Sequence, residues 1–553
     1  MASSQPHRFH TAVLAGWLLA AVLAGGAAYL VVLQLLTPAG VFFSGDAGLK
    51  ALLARDLAAG SGSLSLDLPT AGWARQLWDK GQFAYQPPFV YNLGGQYFIA
   101  FTYTFPLLSA LPLAWLGLRG LLLLPLLATL ATWGLFYLAC RKLELSRTAT
   151  LVGLALLIFC SHFSLYGATY SEHNLAVCLS FAGLYLATPR RAGGRLPGAW
   201  AAAGAGLLTA LAVWLRPEQI FVVAYLGAFS VWGRLAPRLR AGQPAPGLVR
   251  LGPAYLAAAL LALLAYGVSN LLIYGDFFGA HAIQVLGGGI MPDRTIALLE
   301  NLRMLVVGPY SFFWYMPAAF LPLALLALGR TPQVRAIYRP EWNAWYGLWL
   351  FFLLGTAALV PLGAGGKQWG PRFLLLLAPV VALLAAWQLD CALKAGAAWG
   401  PRWRRAALGL LLALGLVGAL QNVYFGTRTL LRSIWLTAPA VAQLSAETQA
   451  APGTLVVIDN QYIAQVLQPV THRETIFVLA MQELHLARVA DALLGQGRDT
   501  FTYVCYSDNC TYFIPVRGLN TVERGDKRFS LETLDARAYG RYTILHIRVR
   551  QVE

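Results

Sequence analysis

Charge is what this sequence has least of. Only 12% of its 553 residues are Asp, Glu, Lys or Arg, about half the share of an ordinary soluble domain. Hydrophobic residues make up 58%, so a soluble globular protein is excluded and a polytopic membrane protein remains. Acidic residues are the scarcer sign, 24 against 41 basic, for a net charge of +17. That excess does not mark a nucleic-acid binder, because the basic residues stand in short clusters between apolar runs, the positive-inside pattern. The six cysteines form no CxxC pair and no Cys/His ligand spacing, which argues against structural zinc. The first apolar run, 11–36, is too long for a signal-peptide core and is preceded by little charge beyond Arg8. It reads as a first, uncleaved span.

Runs long enough to cross a bilayer as a helix occur at 11–36, 120–140, 148–166, 173–188, 198–215, 219–233, 251–273, 312–329, 343–362, 372–390 and 406–425. They predict a polytopic α-helical membrane protein of about eleven transmembrane helices. The clusters Arg141/Lys142/Arg147, Arg190/Arg191/Arg195, Arg234/Arg238/Arg240/Arg250, Arg330/Arg335/Arg339 and Arg402/Arg404/Arg405 all fall on one side. The charge rule makes that side cytoplasmic. "QYFIAFTYTFPLLSALPLAWLG", 96–117, is apolar enough to span, but a span here would turn every one of those clusters outward. Its Pro106 and Pro112 favour a re-entrant or interfacial segment on the outer side. The expected plan is a transmembrane domain, 1–425, with a long first outer loop, 37–119, the N-terminus inside and the C-terminus outside.

From Gly426 onward the apolar runs shorten and charged residues become frequent. "TLVVID" (454–459), "FTYVCY" (501–506) and "YTILHIRV" (542–549) read as strands, and "AMQELHLARVADALLG" as a helix between them. Residues 426–553 are expected to form a small extracytoplasmic α/β domain. Cys505 and Cys510 bracket a turn-like "YSDN", and an oxidising compartment would let them pair; two free thiols are the alternative.

Four ionisable stretches fall on the outer side. "VFFSGDAGLKALLARDL" (41–57) presents Asp46 and Lys50, and "GATYSEHN" (167–174) presents Glu172 and His173. "WLRPEQ" (214–219) carries Arg216 and Glu218, and "GAGGKQWGPRF" (363–373) carries Lys367 and Arg372. Ionisable groups at membrane depth are costly, which makes them site candidates. A carboxylate can take the proton of an attacking hydroxyl, and cations can hold a departing phosphate. Such a set suits glycosyl transfer from a lipid-linked sugar. Asp46 would be the base, and Glu172 the second acid that orients an acceptor or a metal. Arg216, Lys367 and Arg372 would hold the phosphate, with His173, Lys50 and Glu218 on the substrate side. Plainer roles stand beside these. Asp46 could N-cap a helix beginning at Ala47, Glu172 and His173 could be an interfacial pair, and Arg216 could serve only Glu218. Lys367 and Arg372 could be interface anchors. Asp67 and Asp79 are reserve acids in the loop; His162, His281 and His472 have no partner at a telling spacing.

These stretches resemble the GT-C superfamily of integral-membrane glycosyltransferases, which use polyprenyl-phosphate sugars as donors. "SGDAGLK" stands where that superfamily carries a catalytic acid after its first span, and "YSEHN" where a second acid is common. "PPFVYNLGGQYFIAFTYTFPLLSALPLAWLGLRG" looks like the family's interfacial stretch, and "LRPEQ" sits where relatives place a phosphate-binding cation. "FFWYMP" (312–317) and "WGPRF" (369–373) are similar to segments of bacterial members. The resemblance covers roughly 11–425 as topology and implies roles for Asp46, Glu172 and Arg216 in particular. Gly-Asp-Ala replaces a paired acidic motif, so a divalent cation is at most an optional cofactor and its ligands are unknown.

The resulting expectation is an inverting glycosyltransferase of the bacterial plasma membrane. Its partners would be a polyprenyl-phosphate-linked sugar, a glycan, lipid or protein acceptor, and membrane lipids, with no nucleic acid. A transporter or flippase of lipid-linked saccharide is the alternative. It would show inverted halves with broken helices and midplane charges, whereas here no half-repeat is visible and the ionisable residues gather at one interface. A glycan polymerase or an O-acyltransferase is a weaker option, since no acyltransferase histidine motif stands on a membrane segment.

Overall fold

A computed structural model describes residues 5–66, 68, 71–188, 198–235, 252–286, 294–308, 310–328, 331–335, 337–339, 341–359, 369–395, 401–508, 510 and 520–552. The chain opens with α1 (Gln5–Leu36). Next come α2 (Gly45–Ala58), α3 (Gly72–Leu77), the hairpin β1 (Val90–Leu93) and β2 (Gln96–Ile99), and α4 (Thr104–Leu116). A long helical series follows with α5 (Leu123–Lys142), α6 (Arg147–Phe159), α7 (Phe163–Gly167), α8 (His173–Ala187), α9 (Ala199–Leu215) and α10 (Ile220–Leu235). It continues with α11 (Gly252–Tyr274), α12 (Gly279–Leu286), α13 (Arg294–Val306), α14 (Phe312–Tyr315), α15 (Phe320–Ala327) and α16 (Pro332–Arg335). Then come α17 (Trp342–Leu359), α18 (Leu377–Lys394), α19 (Pro401–Ala419), α20 (Thr427–Trp435) and α21 (Ala438–Ala450). The C-terminal part alternates β3 (Thr454–Ile458), α22 (Gln461–Thr471), β4 (Thr475–Leu479), α23 (Glu483–Leu494) and β5 (Thr500–Tyr506). It ends in the antiparallel strands β6 (Asn520–Arg524), β7 (Lys527–Tyr539) and β8 (Tyr542–Val552).

Two compact units emerge, each assembled from two stretches of chain: Met1–Leu35 with Leu122–Thr429, and Leu36–Leu121 with Leu430–Glu553. The division near 429 lies close to the expected boundary at 425. The first outer loop, however, groups with the C-terminal residues rather than with the membrane helices.

In the first unit the described residues of the expected spans lie largely in helix; among the described residues of the chain five helical segments, some of which include residues of the second unit, are long and apolar enough to cross a membrane. Others are shorter, among them α6, α8 and α9. Two expected spans are interrupted. The 312–329 run breaks at Met316–Pro317, where a proline opens a new turn, and the 148–166 run breaks at 160–162 between α6 and α7. Helices approach closely where small residues face neighbours. A Cβ on Gly206 would meet the Tyr255 carbonyl at 2.3 Å, and one on Gly153 would meet Ala386 and Phe136 at 2.8 Å. Close contact of this kind is how helices associate in lipid, where no hydrophobic effect drives them together. α18 is the most enclosed of the five candidate spans, buried along most of its length.

The second unit is built on a six-stranded sheet in the order β4-β3-β5-β8-β7-β6. β3 is parallel to β4 and β5, and the β5–β8–β7–β6 half is antiparallel. Leu455 to Ile458 are all buried, the continuous apolar run of a strand covered on both faces. β4 is an edge strand yet is buried throughout, and an open apolar edge invites foreign strands. The first loop closes it. Phe83 pairs antiparallel with Val478, and Trp78 Nε1 donates to the Phe477 carbonyl at 3.1 Å. Gln82 Nε2 donates to the His485 carbonyl at 3.1 Å. α4 packs on α2; its 13 residues reach only about 20 Å at 1.5 Å per residue, short of a hydrocarbon core of about 30 Å. Cys505 and Cys510 form a disulfide with their Cα atoms 5.3 Å apart.

Candidate active site

The membrane unit gathers three of the expected stretches. Pro217 forces the preceding residue out of helical geometry, so α9 stops and Arg216 becomes extended, with φ −143° and ψ 111°. Its guanidinium then meets two carboxylates. Nη1 lies 3.1 Å from Glu172 Oε1, at the start of α8, and Nε lies 3.0 Å from Glu218 Oε1. All three side chains are buried, with Arg216 only 4% exposed. Nη2 has no hydrogen-bond partner among the described residues. Beside Glu172, Ser171 Oγ and His173 Nδ1 lie 2.7 Å apart, and Asn174 Nδ2 donates to Thr129 Oγ1 at 2.5 Å.

"WGPRF" completes the cluster. The Tyr166 hydroxyl donates to the Trp369 carbonyl at 2.9 Å, and Trp369 Nε1 donates to Asn422 Oδ1 at 3.2 Å. Gly370, at φ +74°, lies so close to Tyr315 and His162 that a Cβ would stand 3.0 and 3.2 Å from their rings. Only glycine suits that turn. Phe373 sits between two cations, the guanidinium centres of Arg216 and Arg372 each 4.9 Å from its ring. Among the described residues, two carboxylates and two guanidiniums thus make a buried group of zero formal charge, the condition for tolerating ions in a low dielectric. Lys367 lies outside the described residues.

The second unit carries Asp46 and Lys50. Ser44 is the N-cap of α2, its Oγ accepting from Ala47 N at 3.4 Å. Asp46 therefore stands in the first turn and is not the cap, which corrects the alternative that the sequence left open. Lys50 lies one turn further on; it is buried, with Nζ 4.8 Å from the Phe101 ring centre. Of the reserve acids, Asp79 is exposed and paired with Arg75 at 3.2 Å, and Asp67 lies outside the described residues. Among the described residues no group of three or more His, Cys, Asp or Glu side chains is placed to hold a metal ion.

The sequence missed two elements of these sites. Gln34, near the end of α1, donates through Nε2 to the carbonyls of Leu122 (3.1 Å) and Gly167 (2.9 Å). His472 Nε2 lies 2.7 Å from Asp56 Oδ1, and Asp56 is wholly buried. A lone polar residue in an apolar run was the signal for the first; nothing local marks the second.

Comparison with known proteins bears on the fold. ArnT from Cupriavidus metallidurans, in a structure bound to undecaprenyl phosphate, superposes with a TM-score of 0.51 at 13% identity, over 96% of this chain and 98% of that one. Its apo structure gives 0.52 at 12% identity, over 97% and 98%. The fold is that of the GT-C membrane glycosyltransferases. The Archaeoglobus fulgidus oligosaccharyltransferase in its apo form matches with a TM-score of 0.50 at 13% identity, over 88% of this chain and 69% of its own. No family model and no curated protein sequence matches the chain. The GT-C likeness is therefore one of fold, carried by nearly the whole length, both membrane helices and C-terminal sheet.

Proposed function

We propose that this GT-C chain is an inverting glycosyltransferase. It moves a sugar from a polyprenyl-phosphate donor to a hydroxyl of a glycan, lipid or protein. It works at the outer face of a bacterial plasma membrane, with its N-terminus cytoplasmic and its C-terminus outside. The observation that carries the reading is Arg216, whose buried guanidinium is fixed on two sides by Glu172 and Glu218 while Nη2 has no hydrogen-bond partner among the described residues. A rigidly held N–H group at a neutralised site is suited to an anionic oxygen, because the carboxylates prevent reorientation and offset the cost of burying the charge.

In the reaction the acceptor oxygen attacks the anomeric carbon from the face opposite the phosphate. The new C–O bond forms as the bond from that carbon to the phosphate oxygen breaks. The hydroxyl proton passes to the Asp46 carboxylate, and polyprenyl phosphate departs with its increased negative charge met by Arg216 and Arg372. Lys367 serves as a further phosphate cation, and Lys50, His173 and Glu218 stand on the substrate side. Glu172 acts through the guanidinium it holds. The likeness to ArnT, solved with undecaprenyl phosphate, supports a lipid phosphate as the donor's carrier.

Binding of undecaprenyl phosphate to the purified protein tests this. Arg216→Ala is expected to weaken it about 10- to 100-fold, the value of a charge-assisted hydrogen bond. The double variant Glu172→Gln/Arg216→Gln removes one charge of each sign, keeps hydrogen-bonding groups and controls for loss of fold. Undiminished binding by folded Arg216→Ala would overturn the assignment.

A further inference from the structure

α2, the helix that bears Asp46, rests directly on α22 of the C-terminal sheet domain. At Gly48 the two helices meet backbone to backbone, since a Cβ there would fall 1.7 Å from the Gln465 carbonyl oxygen; a Cβ on Gly45 would fall 2.0 Å from the Gln465 side-chain Oε1. Further along, Arg55 Nη1 donates to the Pro469 and Val470 carbonyls at 2.5 Å each. These belong to the last turn of α22, whose carbonyls have no helical partner, so the arginine satisfies them and meets the negative end of the helix. Next to Arg55, Asp56 is wholly buried and lies 2.7 Å from His472 Nε2, with Arg473 Nε at 3.5 Å.

His472 has the backbone of a glycine. Its φ is +50° and its ψ −114°, a combination that L-residues other than glycine adopt only under strain. A glycine would hold the same turn between α22 and β4 without strain. What a glycine could not supply is the imidazole that reaches Asp56.

We propose that Asp56 and His472 form a latch by which the C-terminal domain sets the attitude of α2, and so of Asp46. This makes His472 a positioning residue and gives the sheet domain a part in catalysis. The inference rests on Asp46 being the base. Asp46 and Asp56 lie ten residues apart on one helix, about 15 Å at 1.5 Å per residue. A rigid rod of that length turns a small loss of anchorage at one end into a displacement at the other, and displacements near 1 Å cost about 100-fold in rate.

The test uses the full-length protein in lipid nanodiscs and undecaprenyl-phosphate hexoses and pentoses as donors. His472→Gly relieves the backbone and removes the imidazole; His472→Asn, which tolerates positive φ but is too short to reach Asp56, replaces it if the glycine variant does not accumulate. The expected result is a fall of at least about tenfold in kcat per folded molecule with the donor KM unchanged, and faster hydrogen exchange along residues 46–57. Asp56→Asn with His472 intact, whose amide oxygen can still accept from the imidazole, keeps near-normal kcat. Wild-type kcat in His472→Gly, with Asp46→Asn inactive, would overturn the latch and leave the base in place. Normal transfer by Asp46→Asn would remove the base reading, and this inference with it. A loss of folded protein without change in kcat would reduce His472 to a structural role and also overturn it.

Discussion

Asp46 and Arg216 ask different things of a substitution. Because Ser44 already caps α2, Asp46→Asn spares the cap and removes the favourable interaction of a first-turn carboxylate with the helix dipole, about 0.3–1 kcal/mol. Thermal unfolding should barely move, while transfer from a polyprenyl-phosphate sugar should fall about 100- to 10,000-fold, as expected for loss of a general base. Parallel measurement of melting and turnover checks both halves of that statement; a large fall in melting temperature would return Asp46 to a structural role. Asp459 offers a residue-scale test of the sheet domain by itself. Burial at the C-terminal end of β3 raises its carboxyl from the ordinary value to about 6. The folded chain thus holds a proton that the unfolded chain releases, so this group's contribution is full below about pH 4 and is lost as pH rises through 6. Asp459→Asn should flatten the decline of stability between pH 4.5 and 7.5 and melt higher than wild type at the upper end. Identical pH slopes for the two proteins would show that the carboxylate is not desolvated.

At the scale of elements, the contact of α2 with α22 is the most demanding in the second unit. A methyl group at Gly48 would meet the Gln465 backbone carbonyl at 1.7 Å and the Pro469 ring at 3.3 Å, neither of which is a flexible side chain. Gly48→Ala should therefore force the helices apart and cost about 1–3 kcal/mol, the usual range for overpacking. Gly409, in the middle of α19, has nothing within 4 Å of its would-be Cβ. Alanine there should be neutral or stabilising by about 0.4–1 kcal/mol, since it only reduces the freedom of the unfolded chain. Chemical denaturation of the two variants beside wild type decides the point: similar effects at both positions would deny that α2 and α22 meet backbone to backbone. The extended Arg216 is also an element-scale result. It follows from a proline one residue later, and no other feature of α9 would place a guanidinium between two glutamates.

For the whole molecule, the second unit is assembled from residues nearly 400 positions apart. Trp78, Phe83 and Tyr85 of the first loop are all buried, against partners in the C-terminal domain such as the Phe477 carbonyl and Gln468. Deleting residues 430–553 would expose these rings, each of which buries about 150–250 Å². The truncated chain should aggregate on extraction rather than yield a working membrane unit, and a monodisperse, active 1–429 fragment in size-exclusion chromatography would contradict the shared core. Orientation is tested separately. Trp200→Cys, at the exposed start of α9, should label from the cytoplasmic side, and Glu523→Cys, on an exposed face of β6, from the outer side.

Length, hydropathy and clustered basic charge are local properties of the chain, which is why the sequence by itself determined the membrane class, the helices beneath the eleven apolar runs, and the strands at 454–458 and 501–506. Proline at 217 likewise ends a helix by a backbone preference that needs no neighbour. What only the tertiary structure decided were pairings across long gaps in sequence. Glu172 meets Arg216 from 44 positions away, and Asp56 meets His472 from 416. The first loop, expected with the membrane helices, closes an edge strand that begins at Thr475. Burial of a charge or of a strand edge costs free energy until a partner arrives through space, and no periodicity along the chain records which distant residue that partner will be.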